Sequence, residues 1–299
     1  MKEVNMIIVT GGGGFIGSAM VGYLNSIGRA DVMVIDNMPH AEQYKNLVGK
    51  TFSIMEESEQ DLLSHYRLGE IEAVIHLGAI TNTLHNDWNS IYKQNVQPTR
   101  RLAGLCSELH IPMVYASSAA VYGNGNGPLN QYALSKQLSE TEIKDRAACL
   151  RFFNVYGPNE YHKGRMASTI LNWYHQIQET GSIKIFEDSD QYYRDFIYVE
   201  DVCRAVWHMV ENFKPGVYDL GTGKSSNFER VAKELIKHMD QEVYFDYIPM
   251  PADLKAQYQT DTKADVKALE ATGFDVSLCR SVPEGVEDYI QFLKEHSYL

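Results

Sequence analysis

Short apolar runs alternate with amphipathic stretches through the first half of the chain. Met6–Thr10 (Met-Ile-Ile-Val-Thr) is a β-rich run, and a glycine cluster at residues 11–17 follows it directly. Ser18 to Ile27 carries a helical pattern closed by Gly28, and Val32–Ile35 is a second apolar run ending at Asp36. Strand, glycine turn, helix and strand together make one βαβ unit of about 30 residues. Ala73–Leu77, Met113–Ala116 and Cys149–Phe153 predict further buried strands, separated by helical stretches at Ser90–Leu109 and Tyr132–Asp145. This alternation predicts an α/β fold, a Rossmann-type doubly wound parallel sheet.

After residue 155 or so the pattern changes to longer loops, with helices between isolated short strands. The expected division is a dinucleotide-binding domain over 1–160 and a smaller, mainly C-terminal α/β substrate domain over 161–299. Asp195–Val199 and Val217–Leu220 are strand-like, so the region 195–223 can return to the first domain.

Composition narrows the partners. The 299 residues carry a formal charge of −12 with no basic cluster, which argues against nucleic acid. No apolar run is long enough for a bilayer span, and the first strand starts too early to leave room for a signal peptide. Cys106, Cys149, Cys203 and Cys279 are scattered, so neither a disulfide framework nor a metal site is expected, and a cytoplasmic setting fits best.

The spacing Gly11-x-x-Gly14-x-x-Gly17 lies between a strand and a helix. Small residues there let backbone approach a pyrophosphate, which the helix N-terminus attracts with open N–H groups. Asp36 stands 19 residues past Gly17, where a carboxylate accepts hydrogen bonds from an adenosine ribose. The cofactor surface is expected to include Gly11, Gly14, Phe15, Ile16, Gly17, Asp36, Asn37, Leu77, Gly78, Ala79, Asn95, Lys136 and Val155. Asn95 reads equally well as a packing or capping residue. Asp36 favours NAD over NADP, whereas Lys45 and Lys50 downstream are cations that a 2′-phosphate could use.

Tyr132 and Lys136 are four apart on a predicted helix, hence on one face one turn apart. A free tyrosine, with a pKa near ~10, is a poor base at neutral pH, and an adjacent ammonium lowers that value. Ser118, in Tyr115-Ala-Ser-Ser-Ala-Ala-Val-Tyr-Gly123, falls just past a strand end and can hold a substrate oxygen for the tyrosine.

The glycine loop, Ser118, Tyr132 and Lys136 resemble the extended short-chain dehydrogenase/reductase family. Arg194–Asp201 and Leu220–Gly223 resemble its later motifs, so the likeness runs over nearly the whole chain. It implies a nucleotide-sugar enzyme. Ala119 and Ala120 stand where dehydratases of this family carry an acidic pair, which disfavours water elimination. The segments Arg151–Ser168 and Tyr247–Gln259, with the strings His162-Lys-Gly-Arg-Met-Ala-Ser and Leu254-Lys-Ala-Gln-Tyr-Gln, are similar to the branch that epimerises C6″ of ADP-glycero-manno-heptose. Another nucleotide-sugar epimerase or reductase, such as a 4-epimerase, is the alternative, and a silent dinucleotide-binding protein the more distant one.

The resemblance implies a tightly held NADP or NAD with some preference for NADP, a homo-oligomer, and Lys163 as a second acid/base beside Tyr132. It also assigns substrate contacts to Ser118, Asn154, Phe186, Glu187, Ser189, Arg194 and Tyr258, with Arg194 pairing with the pyrophosphate. A surface ion pair with Asp195 or another neighbour is the competing reading of Arg194. Arg165 and Asn172 occupy substrate-facing positions where this branch has a serine and a histidine. The connection from Tyr122 to Tyr132 is short, and Gln43 replaces a lysine expected near the adenosine phosphate.

Overall fold

A computed structural model describes residues 6–56, 70–251 and 259–296. In chain order come β1 (Met6–Thr10), α1 (Phe15–Ser26), β2 (Val32–Ile35), β3 (Ile54–Glu56) and β4 (Ile71–His76). Then follow α2 (Gln97–Glu108), β5 (Met113–Ser118), α3 (Gln131–Ile143), β6 (Ala148–Phe152) and β7 (Asn154–Tyr156). The second half holds α4 (Thr169–Thr180), β8 (Ser182–Phe186), β9 (Tyr193–Tyr198), α5 (Val199–Glu211) and β10 (Gly216–Leu220). It ends with β11 (Ser225–Asn227), α6 (Phe228–Lys237), β12 (Tyr244–Ile248), β13 (Asp261–Thr262) and α7 (Val282–Glu295).

The main sheet has seven strands in the order β10-β6-β5-β4-β1-β2-β3, and every pairing in it is parallel. Alternation along each strand sends side chains to opposite faces, which is why the strands are apolar throughout. Ile7 and Val9 pack with Met20 and Leu24 of α1 and with Val202 and Val206 of α5. Ile8 packs on the other face, with Leu102 and Cys106 of α2 and Ile143 of α3. A third cluster joins Ile170 and Trp173 of α4, Ile183 of β8, Val231 and Leu235 of α6, and Val286 and Ile290 of α7. β9 anchors a smaller sheet with β7, β11 and β13, and β12 pairs with β8.

The helix expected over Ser90–Leu109 is found in three pieces: Trp88–Ile91, a π turn at Tyr92–Val96, and α2. Pro98 accounts for the break. It lacks an N–H, and its ring crowds the carbonyl four residues back, so a regular α-helix cannot run through it. The strand at Ile54–Glu56 had no counterpart in the apolar pattern. β10 forms the outer edge of the main sheet and α5 covers one face, while β9 belongs to the smaller sheet.

Strand order reverses at β1. In such sheets a crevice opens at the carboxyl ends of the strands on either side of that point, here β1 and β4.

Candidate active site

The glycine loop closes against the end of β4. Gly11 has φ +68°, and a Cβ there would lie 2.6 Å from the Gly78 Cα. At Gly17 a Cβ would meet the Gly11 carbonyl oxygen at 2.0 Å, so both positions exclude any larger residue. Gly14 is the N-cap of α1 and supplies no side-chain cap, which leaves first-turn N–H groups open for an anion. Phe15 is buried beneath the loop; Ile16, Leu77, Gly78 and Ala79 are half-buried around it.

Asp36, at the end of β2, accepts hydrogen bonds from the Gly13 N–H (2.9 Å), the Met38 N–H (2.7 Å) and the Gln43 amide (3.2 Å to each oxygen). Gln43 is only 4% exposed, and its Oε1 has no partner among the described residues. Asn46, fully buried, likewise leaves Oδ1 unmatched. Buried acceptors without donors are costly unless a ligand supplies them. The cradle at Gly11 and Gly17, the uncapped helix and these acceptors therefore fit a dinucleotide. Asn37 is exposed beyond Asp36. Lys45 pairs with Glu42, and Lys50 donates to the Asn46 carbonyl at 2.6 Å.

A buried polar relay underlies this crevice. The Gly78 N–H donates to Thr10 Oγ1 (3.1 Å), which lies 2.6 Å from His76 Nδ1. His76 Nε2 meets Thr99 Oγ1 at 2.8 Å, and Thr99 donates to the Asn95 carbonyl. With the Thr99 proton so committed, Nε2 carries the imidazole hydrogen and Nδ1 accepts from Thr10. Burial holds His76 neutral, its pKa pushed down to about 3. Asn95 is 1% exposed; its side chain clamps the Ile80 N–H and carbonyl (2.8 and 3.0 Å) and donates to Ser135 Oγ (3.0 Å). That arrangement fixes the chain after β4 from below.

Tyr132 and Lys136 share one face of α3, as their spacing requires. Ser118 is the last residue of β5, still in the strand rather than just past it, and its hydroxyl accepts from the Ala120 N–H at 3.1 Å while acting on the Tyr132 phenol. Burial raises the Tyr132 pKa and the Ser118 bond lowers it. Lys136 is 2% exposed; Nζ donates to the Ala116 carbonyl at 2.7 Å and lies 4.8 Å from the Tyr115 ring centre and 5.9 Å from that of Tyr132. Burial brings its pKa down to about 7. Ser118 is thus the neighbour that lowers the phenol's pKa, while the ammonium sits 5.9 Å from the ring centre. One turn beyond Lys136, Glu140 accepts from Ser117 Oγ (2.8 Å) and from Arg151 (2.9 and 2.5 Å), tying α3 to β5 and β6.

Lys163 approaches from the second half of the chain. It lies in a 3₁₀ segment, Tyr161–Met166, half-buried, with Nζ 5.3 Å from the centre of the Phe15 ring. Burial lowers its pKa and Glu160 partly offsets this. Arg165 is exposed, and Asn172 donates to the Ala167 carbonyl at 3.0 Å. On β7, Asn154 donates to the Asp195 carbonyl (3.2 Å), and Val155 packs against the sheet cluster.

Phe186 and Ser189 line a cavity with Trp173, Tyr192, Phe228 and Ile248; the Ser189 hydroxyl is buried with no partner among the described residues. Glu187 is exposed beside them. Arg194, 7% exposed, donates to the Tyr193 carbonyl and stacks 5.6 Å from the centre of Phe228, so it borders this cavity. The Asp195 carboxylate is taken by the Thr222 N–H and hydroxyl, the Gly223 N–H and the Ala264 N–H, which argues against an Arg194–Asp195 pair. Tyr258 lies outside the described residues.

Glu140, Asn46 and His162 escaped the sequence reading. Glu140 had a signal, since it continues the Tyr132–Lys136 face by one turn. Asn46 and His162 meet across more than a hundred residues, which no local pattern reveals.

A Rossmann-type sheet with a glycine loop and a Ser-Tyr-Lys constellation at its carboxyl edge is the framework of nucleotide-sugar short-chain dehydrogenases/reductases. The chain belongs to the NAD dependent epimerase/dehydratase family, whose match spans residues 7–221. It is 38% identical to an ADP-L-glycero-D-manno-heptose-6-epimerase of Brachyspira hyodysenteriae, over 97% of this chain and 98% of that one. An enzyme of the same name from Nitratidesulfovibrio vulgaris is 37% identical over 96% and 97%. Among solved structures, the Helicobacter pylori ADP-L-glycero-D-manno-heptose-6-epimerase superposes with a TM-score of 0.83 at 25% identity, covering 98% of each chain. A UDP-N-acetylglucosamine 4-epimerase from Methanobrevibacter ruminantium gives 0.80 at 25% identity, over 99% and 100%. The fold expectation and the enzyme expectation are both borne out: this is a nicotinamide-dependent enzyme of the epimerase type. Among the described residues no helix is long and apolar enough to cross a membrane.

Proposed function

We propose that this chain inverts C6″ of ADP-glycero-manno-heptose. The observation that supports the reading is that two candidate proton-transfer groups come from separate elements: Tyr132 on α3, its pKa raised by burial and lowered by Ser118, and Lys163, its ammonium 5.3 Å from the centre of the Phe15 ring at the glycine loop. The names of the full-length relatives support the sugar and the carbon. A bound nicotinamide supplies a reversible hydride acceptor. Tyr132 takes the hydroxyl proton of one epimer as the carbon is oxidised, with Ser118 orienting the oxygen. Lys163 returns a proton to the oxygen after the ketone has turned, and the roles exchange in the reverse direction. Lys136 holds the nicotinamide ribose and Ala116. Arg194 holds the sugar pyrophosphate beside the cavity of Phe186 and Ser189, with Asn154, Asn172, Arg165, Glu187 and Tyr258 around the sugar. In this reading residues 1–160 and the returning segment serve the dinucleotide, and 161–299 serve the sugar, in a cytoplasmic homo-oligomer.

The test is interconversion of the two C6″ epimers by the purified protein in heavy water. A hydride shuttle returns the original hydrogen, so the inverted carbon should stay free of deuterium. Deuterium at C6″, or turnover confined to UDP-sugars inverted at C4, would sink the proposal.

The geometry at Asp36 favours NAD. Its carboxylate would repel a 2′-phosphate, Gln43 Oε1 is placed to accept a ribose hydroxyl, and Lys45 and Lys50 are both turned to other partners. NAD should bind at least about tenfold more tightly than NADP by calorimetry, a difference of about 1.4 kcal/mol. Gln43→Lys should erase most of that margin, because a charge-assisted hydrogen bond contributes roughly 1.5–3 kcal/mol. Equal or tighter binding of NADP by the unaltered protein would overturn this assignment.

A further inference from the structure

Lys163 is reached by a long, flexible side chain, and its ammonium makes no side-chain hydrogen bond among the described residues. Its position therefore depends on how the backbone of residues 157–168 is held. At the base of that loop, buried Glu160 accepts from the Ser168 N–H (2.5 Å), the Ser168 hydroxyl (2.6 Å) and the Gly157 N–H (3.4 Å), drawing the two ends together. This staple closes the loop but does not say where its tip lies relative to the dinucleotide crevice.

The tip is placed by the residue next to the lysine. His162 Nδ1 lies 3.0 Å from Asn46 Nδ2, and the same Asn46 nitrogen donates to the Gly13 carbonyl at 2.8 Å. Because that nitrogen only donates, Nδ1 is the acceptor and the imidazole is neutral. Burial, with Lys163 and His40 nearby, keeps it so by lowering the His162 pKa to about 4. Asn46 is fully buried, so this junction lies in the protein interior rather than on a mobile surface. The groups facing His162 include Asn46, the ring of His40 at 5.9 Å between centres, the Asn159 carbonyl and the Lys163 ammonium.

We propose that His162 is a positioning residue for the reaction: through Asn46 it pins the Lys163 loop to the backbone of the glycine loop, so that one proton-transfer group is set in register with the dinucleotide. This rests on the two-sided acid/base reading above. Tyr132 is held independently, on α3, which the Glu140–Ser117 and Glu140–Arg151 bonds tie to the sheet. Loss of the His162 contact must then damage one half of the reaction and spare the other.

The experiment mixes the dinucleotide-loaded enzyme with each C6″ epimer separately and follows the transient absorbance of reduced nicotinamide. Lys163→Met identifies which epimer depends on the lysine. His162→Ala should slow that same half-reaction by about 10²-fold, the usual consequence of a misplacement near 1 Å, and leave the other near its unaltered rate. His162→Asn should restore most of the loss, since its Oδ1 takes the place of Nδ1 as acceptor. Dinucleotide affinity, measured by fluorescence titration, should stay unchanged because Gly13 keeps its Asn46 donor. Equal slowing of both half-reactions, or no slowing of either, would refute the positioning role. If the unaltered enzyme reduces its nicotinamide with neither epimer, the function proposed above fails instead.

Discussion

Tyr132→Phe and Lys163→Met should each slow epimerisation by about 10²–10⁴-fold, the usual contribution of a general acid or base, while leaving the dinucleotide bound. The two losses arise from different atoms on different elements. Tyr132 stands on α3 against the end of β5, and Lys163 comes in on a loop of the second half. A single group cannot serve both faces of the carbon being inverted, so neither variant should be rescued by the other residue. Burial acts on the pair in opposite senses, raising the tyrosine pKa and lowering that of the lysine. The lysine thereby gives up its proton more readily than an exposed ammonium does. Steady-state rates for the two variants in both directions check this. Full activity of Lys163→Met would remove the lysine from the mechanism and leave Tyr132 to be tested alone.

Lys136→Met should abolish turnover and yet stabilise the protein. The lysine is 2% exposed, and the only hydrogen bond its ammonium makes among the described residues is to the Ala116 carbonyl. Burial lowers its pKa from 10.5 to about 7. A group that binds its proton less well when folded costs stability wherever the unfolded chain is still protonated. The cost is therefore full below about pH 7, shrinks as pH rises, and is gone above pH 10.5. At its full extent such a shift is worth roughly 5 kcal/mol, at about 1.4 kcal/mol per pH unit. Methionine fills a similar volume without the charge. Melting of dinucleotide-free protein at pH 6 should rise by on the order of 5 °C in the variant, allowing for the lost hydrogen bond. The gain should dwindle toward pH 10. A variant that melts lower than the parent at pH 6 would show that the ammonium is better compensated than its neighbours suggest.

The first half of the chain announced itself because its chemistry is local. A two-faced strand must be apolar throughout, a glycine loop must be glycine where a Cβ would strike the Gly11 carbonyl or Gly78, and Tyr132 and Lys136 share a face because an α-helix repeats every 3.6 residues. Glu140 belonged to the same regularity and could have been read from it. Pro98 carried its own message too, though the apolar pattern alone concealed the π turn it imposes.

What tertiary structure decided are contacts whose partners are far apart in the chain and whose residue types are ambiguous alone. Whether Arg194 met Asp195 depended on where residues 222, 223 and 264 returned, since their N–H groups occupy that carboxylate. Asn95 reads from sequence either as a cofactor contact or as a packing residue, and in the fold it clamps Ile80 and Ser135 from the π turn. Lys45 and Lys50 were free cations on paper and are engaged in space. The junction of Gly13, Asn46 and His162 exists only because two halves of the chain fold onto one sheet edge. Side-chain periodicity is a property of neighbours in sequence, and such a hydrogen bond is a property of neighbours in space; the amino-acid string by itself determines the first kind alone.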